Sequence, residues 1–228
     1  MIQVDRLTKE YNGKEVLHID DLHIGEGEVI GLVGNNGAGK TTFFQLLLDF
    51  IPPTTGSVQL NGQPVQHSEH WKELVAAYLD ESFLIEYLTA EEFFSFIANT
   101  RGVPKVDAEQ FVDGFESVFH GEVLGKKKYL RAFSKGNQKK VGLVSTLIGQ
   151  PPIVYWDEPF ANLDPRTQLK MKEVVRDFSA DRTWIISSHD LGHIVDVCTR
   201  IIILNEGRII KDVLRENTTL EELIEVFR

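Results

Sequence analysis

Gly34-Asn35-Asn36-Gly37-Ala38-Gly39-Lys40-Thr41-Thr42 stands between the apolar run Val29-Ile30-Gly31-Leu32-Val33 and the helically patterned Phe43-Phe44-Gln45-Leu46-Leu47-Leu48. Strand, glycine-rich turn and helix in that order form the context that a phosphate-binding loop requires. Glycines let consecutive backbone N–H groups curl around an anion, and the helix start adds the positive end of its dipole. Lys40 supplies a compact positive charge for the outer phosphates, and the Thr41 hydroxyl can ligate magnesium. The stretch from Gly34 to Thr42 is therefore expected to hold a nucleoside triphosphate.

Working outward, the chain of 228 residues with 42% hydrophobic content is long enough to bury a core as one domain. Its formal charge of −10 argues against a general grip on nucleic acid, which needs a basic face. The one cysteine, Cys198, cannot pair internally, and no Cys/His cluster has zinc-finger spacing, which fits a reducing cytosol. Met1-Ile2-Gln3-Val4-Asp5 does not open a signal peptide, and no window approaches the roughly 20 apolar residues of a membrane span. A membrane role would come through a partner.

Before the loop, short β-rich segments alternate with turn signals: Tyr11-Asn12-Gly13-Lys14 reads as a hairpin turn and Gly25-Glu26-Gly27-Glu28 as another. The helix after the loop is expected to end near Ile51-Pro52-Pro53. Ser57 to Leu60, closed by Asn61-Gly62, reads as a strand, and the short apolar Leu74 to Leu79 as a buried strand whose periodicity is also compatible with a helix. Between about Phe83 and Phe119 many phenylalanines crowd into two helically spaced stretches separated by Arg101-Gly102-Val103-Pro104. Most of these rings are expected to pack a helical subdomain, with a few near the surface forming a docking groove for a partner helix. From Lys135 onward the pattern is helix, strand, helix, strand, which implies a mainly parallel sheet covered on both faces. Thr218-Thr219-Leu220-Glu221 resembles a capping box before a short amphipathic helix.

Ile153-Val154-Tyr155-Trp156-Asp157-Glu158-Pro159 is an apolar strand ending in two acids. Successive strand side chains point in opposite directions, so the two carboxylates can do different jobs. Asp157 is placed to hold magnesium, directly or through water. Glu158 can act as general base on the water that attacks the γ-phosphate.

With these motifs in order, the chain resembles the nucleotide-binding subunit of an ATP-binding cassette transporter. Ser134-Lys135-Gly136-Asn137-Gln138 sits where that family places its signature motif. Ser134 and Gly136 match the pattern, Phe133, Lys135 and Asn137 depart from it, and Gln138 matches the glutamine that commonly follows. The resemblance implies that this motif reaches the γ-phosphate bound by the other subunit of a dimer. It also makes Asn162-Leu163-Asp164 a D-loop that aligns the two subunits, His189 a switch residue at the γ-phosphate, and Tyr11 an aromatic stacked on adenine. The segment from His189 to His193 departs from the zinc HExxH helix, with Asp190 for Glu, Gly192 inside it and no third ligand. Where the family keeps a glutamine, the sequence runs Leu79-Asp80-Glu81-Ser82, so Asp80 or Glu81 takes that place and is a candidate magnesium ligand.

The resemblance implies an α/β fold in one domain over residues 1–228. It has a P-loop NTPase core with a mainly parallel sheet, an N-terminal antiparallel β subdomain and a helical subdomain inserted at about 83–150. It implies catalytic roles for Lys40, Glu158 and His189, with ATP and Mg2+ as cofactors. The implied partners are a separate membrane-spanning permease and a second cassette subunit, at the cytoplasmic membrane face and without nucleic acid. The segment Phe83 to Thr89 and the Ser134-Lys135-Gly136 form look like exporter-type members. The other reading is a soluble cassette ATPase acting on ribosomes or nucleic acid.

Overall fold

The structure is a computed structural model and describes residues 2–226. Its first strands, β1 (Ile2–Tyr11) and β2 (Lys14–Ile24), pair antiparallel across the Asn12-Gly13 turn, where both central residues take positive φ. The turn at residues 25–28 is not a hairpin. It leads to β3 (Val29–Val33), which lies away from β2 and pairs with two strands from the C-terminal half. A turn signal sets a change of direction and leaves the pairing partner to the rest of the chain.

Helix α1 (Lys40–Leu47) follows β3 directly and stops earlier than the prolines require, because Asp49 turns left-handed at φ 51°. Next come β4 (Thr55–Leu60), β5 (Gln63–Pro64), the single turn α2 (Trp71–Leu74) and β6 (Val75–Tyr78). Between β6 and β7 (Ile153–Trp156) the chain makes α3 (Ala90–Thr100), α4 (Lys105–Asp113), α5 (Glu116–Phe119) and α6 (Lys135–Ser145). Thr89 starts α3 with a capping box closed by Glu92, which satisfies two first-turn donors. Phe83 and Tyr87 lie outside these helices and are exposed, whereas Phe93, Phe94, Phe115 and Phe119 are buried. The chain then alternates α7 (Pro165–Phe178), β8 (Thr183–Ser188), α8 (Leu191–Ile194), β9 (Arg200–Asn205), β10 (Arg208–Leu214) and α9 (Leu220–Glu225). Thr219 and Glu222 form the capping box of α9.

Among the described residues the strands form one sheet in the order β5-β4-β1-β2-β10-β9-β3-β8-β7-β6. From β9 to β6 every pairing is parallel, and β3, β7 and β8 are buried along their whole lengths, as strands covered on both faces must be. The β5-β4-β1-β2 end is antiparallel. One core cluster packs α3, α6 and α7 on one face, around Trp156 and Trp184, whose rings meet edge to face at 4.8 Å. The other cluster packs α1 against β1, β2 and β4. This order brings the C-terminal ends of β3, β8 and β7 side by side, where open α/β sheets bind their ligands.

Gly142 lets α6 lie directly on β6, since a Cβ there would sit 2.3 Å from the Tyr78 ring. Gly142→Ala gains about 1 kcal/mol of helix propensity but forces an overpacking cost of about 1–3 kcal/mol. Tyr78 cannot swing aside freely, being 3% exposed and hydrogen-bonded through its hydroxyl to Glu81. The variant is expected to unfold at a lower urea midpoint with an unchanged slope. A midpoint equal to the wild type would show that the contact yields without cost.

Candidate functional site

The loop between β3 and α1 is built by backbone constraints. Gly39 precedes α1 at φ 108°, a conformation that excludes most side chains. A Cβ on Gly34 would lie 2.4 Å from the Leu204 carbonyl of β9. No side chain caps α1, an arrangement that would leave its first-turn N–H groups for an anion. Lys40 is buried, and its Nζ donates to the carbonyls of Gly34 at 2.6 Å and Asn35 at 3.4 Å. The loop encloses a cavity of about 290 Å³ lined by Tyr11, Val16, residues 35–42, Asp157 and Glu158. Tyr11, at the end of β1, stands half-exposed on this lining.

The two acids after β7 diverge. The Thr41 hydroxyl donates to Asp157 Oδ2 at 2.6 Å, and the Ser187 hydroxyl of β8 donates to Asp157 Oδ1. Burial pushes the Asp157 carboxyl above its ordinary range, and the two hydroxyl bonds oppose that shift. With the folded-state value above the unfolded one, an ionised Asp157 costs stability at neutral pH. That cost disappears as pH falls below the ordinary carboxylate range.

Glu158 turns the other way. Its Oε1 lies 3.3 Å from Lys40 Nζ, and its Oε2 lies 2.9 Å from His189 Nδ1. Its backbone is left-handed at φ 48°, an outlier for a glutamate, and its N–H donates to Ser187 Oγ at 2.9 Å. Thus Ser187 serves both acids at once. The sequence reading of His189 as a switch residue did not extend to Ser187; the signal for it is a serine two residues before His189 at a buried strand end.

A hydroxyl and a carboxylate 2.6 Å apart, Thr41 and Asp157, are hard oxygen donors of the kind magnesium takes alongside phosphate oxygens and water. These residues fit that ion. Asp80 and Glu81 do not line the cavity. Asp80 Oδ1 accepts from the Ser82 N–H at 2.6 Å, and Glu81 Oε1 accepts from the Tyr78 hydroxyl at 2.7 Å. Among the described residues no cluster of three or more His, Cys, Asp and Glu could hold a metal by itself. His193 packs on the Phe160 ring, and burial pulls its pKa down.

The structure places Ser134 to Gln138 apart from this cavity, at the start of α6. Ser134 Oγ accepts from the Asn137 N–H at 3.2 Å, leaving Ser134 and Lys135 exposed. Asn137 donates to Glu122 and Gln138 to the Leu130 carbonyl, which fixes the buried side of the turn. Asn162 is exposed at φ 62°, Leu163 is buried, and Asp164 caps α7 by accepting from the Thr167 N–H at 3.0 Å. Neither segment lines the cavity within one chain.

The ABC transporter family matches residues 17–161. An uncharacterized ABC transporter ATP-binding protein of Nostoc is 35% identical over 191 residues, covering 83% of this chain and 57% of that protein. Another, from Bacillus subtilis, is 30% identical over 234 residues, covering 98% of this chain and 74% of that protein. The chain thus spans a little over half of the first relative's length and about three quarters of the second's. Among solved structures, an ATP-binding subunit of an ABC transporter superposes with a TM-score of 0.88 at 26% identity, covering all of both chains. A dimeric ATP-binding cassette in a post-hydrolysis state, bound to ADP and Pi, shares the fold, with a TM-score of 0.84 at 21% identity over 94% of this chain and 99% of that one. The phosphate loop, the two diverging acids and these matches place the chain in the ABC transporter family, among its ATP-binding proteins.

Proposed function

We propose that this chain hydrolyses ATP and, through dimer closure, drives a separate membrane-spanning permease. The observation that carries the reading is the single cavity in which Lys40, Thr41, Asp157 and Glu158 meet at an uncapped helix start. The 35–42 backbone and Lys40 hold the β- and γ-phosphates, and Tyr11 offers its ring to the base. Thr41 and Asp157 would hold magnesium, which supplies charge neutralisation on the phosphate oxygens. Water attacks the γ-phosphorus, the bond to the β–γ bridging oxygen breaks, and the proton from water passes to Glu158. His189, 2.9 Å from the Glu158 carboxylate, orients that base and reaches the γ-phosphate. Lys40 withdraws from Glu158 toward the phosphates, since a doubly charged phosphoryl group outcompetes one carboxylate.

The exposed start of α6, with Ser134, Lys135 and Gly136, suits the γ-phosphate of a second subunit, and Asn162 to Asp164 lie beside the same seam. The dimeric cassette bound to ADP and Pi supports that arrangement by its shared fold. ATP drives closure only to the extent that it binds the closed dimer more tightly than the open one. Among the described residues no helix is long and apolar enough to cross a membrane. A separate permease, with this chain on its cytoplasmic face, is the reading that the transporter relatives support. The Ser134-Lys135-Gly136 form supports export as the direction. Phe50 and Phe83, exposed and stacked at 5.7 Å, offer the permease an apolar contact.

Lys40→Ala is expected to weaken ATP binding by about 100-fold, through the loss of charge-assisted phosphate contacts. Titration with a fluorescent ATP analogue checks this, and unchanged affinity removes Lys40 from the site. Glu158→Gln is expected to keep binding and lower turnover by about 100-fold or more. Near-normal phosphate release from that variant would take the role of base away from Glu158. The partner is tested by tagging the Glu158→Gln form and capturing it with ATP from detergent-solubilised membranes. A co-purifying multi-span protein is expected; recovery of ribosomes or nucleic acid instead would favour the soluble cassette class.

A further inference from the structure

Lys139 is buried on α6, with its side chain 9% exposed, and no role for it follows from the phosphate site. Its Nζ donates to the Glu158 carbonyl at 3.1 Å and the Ala161 carbonyl at 3.0 Å. It also lies 3.9 Å from Glu81 Oε1, the carboxylate that the Tyr78 hydroxyl holds. The Tyr78 carbonyl in turn accepts from the Asp157 N–H at 2.8 Å. These contacts close a ring from α6 through Glu81 and Tyr78 to the two acids after β7.

An ammonium is a costly way to satisfy two carbonyls, because its charge must leave water. Burial draws the Lys139 pKa down, and the negative charges of Glu81, Glu158 and Asp157 push against that shift. What the charge gains in return is a rigid clip on the turn from Glu158 to Ala161. Glu158 needs such a clip. Its left-handed backbone at φ 48° is unfavourable for a residue with a Cβ and persists only where its surroundings hold it. Ser187 Oγ holds the N–H side of Glu158 and Lys139 holds the carbonyl side. The direction of the Glu158 carboxylate, toward Lys40 and His189, follows from that fixed backbone.

We infer that Lys139 is a positioning residue for Glu158, and that Glu81 is its counter-ion rather than a metal ligand. The side chain does not line the cavity and acts through the Glu158 peptide. This rests on the reading of Glu158 as the base of an ATPase. The departure at Asp80-Glu81 then has a physical reason: an acid facing a buried lysine pairs with it, whereas an amide would leave that charge without a counter-ion.

The test is steady-state ATP hydrolysis and fluorescent ATP-analogue binding by the full chain carrying Lys139→Met, Lys139→Arg, Glu81→Gln or Glu158→Gln. Lys139→Met is expected to lower kcat about tenfold or more while nucleotide affinity stays within about twofold, since displacing a catalytic group by about 1 Å is costly. Lys139→Arg keeps the charge and the donors and is expected to recover most of kcat. Adding Glu81→Gln to Lys139→Met is expected to change kcat little further, because both remove one interaction. A wild-type kcat in Lys139→Met overturns the inference, and so does a parallel loss of kcat and affinity that Lys139→Arg does not relieve. If Lys139→Met fails to fold, Glu81→Gln is read alone: a kcat lowered about threefold at unchanged affinity supports the inference, and wild-type kcat overturns it. Glu158→Gln separates the two levels. Full turnover in that variant takes the role of base away from Glu158, on which the inference rests, whereas an inactive Glu158→Gln beside a normal Lys139→Met sinks only the inference about Lys139.

Discussion

Asp157 carries a carboxylate into the interior at the end of β7, and two hydroxyls make that position tolerable: Thr41 from the first turn of α1 and Ser187 from the end of β8. A buried charge without such partners costs several kcal/mol, so the elements that bring the hydroxyls cannot sit elsewhere. This one carboxylate therefore ties the loop after β3 to the strand ends of β7 and β8. The place where charge is costly to bury is also the place where a cation and a polyphosphate would find their complement.

The sheet makes that meeting geometrically possible. β8 lies between β3 and β7 in space although it follows both in the chain. Parallel strands with helical crossovers put all their C-terminal ends on one edge, so the phosphate loop, the two acids and His189 emerge together. The antiparallel β5-β4-β1-β2 end contributes Tyr11 and Val16 to the cavity from the side.

Glu158 stands between two buried lysines that hold different parts of it. Lys40 faces its carboxylate, and Lys139 holds its carbonyl. The first is an ion pair at 3.3 Å with no hydrogen bond to Oε1, so on the proposed function a phosphate would displace it. The second is made by two hydrogen bonds to backbone, from a lysine that does not line the cavity. A mobile partner on the side chain and a fixed one on the backbone are what a general base needs, since it must change proton state without changing place.

Local chemistry was legible in the sequence wherever it depends on near neighbours. The glycines of the 34–42 loop, the apolar strand ending in Asp157-Glu158 and the Asn12-Gly13 hairpin are short-range signals, and each stands where its pattern puts it, while the capping box of α9 falls one residue later than the Thr218 to Glu221 pattern, at Thr219 and Glu222. What required the tertiary structure was every pairing across distance. The turn at 25–28 reads like a hairpin, yet β10 and β9 come between β2 and β3, because a strand's partner is set by burial and crossover handedness. Ser187 bridging two acids, and Lys139 reaching from α6 to the Glu158 carbonyl and to Glu81, join residues far apart in the chain. Asp80 and Glu81 were readable as acids where an amide is expected, but the residue that Glu81 faces was not. Near-neighbour patterns were enough for the glycine-rich loop, the paired acids and the family; which charges neutralise one another came from the fold, because Coulomb energy and desolvation depend on distance and burial in space, not on separation along the chain.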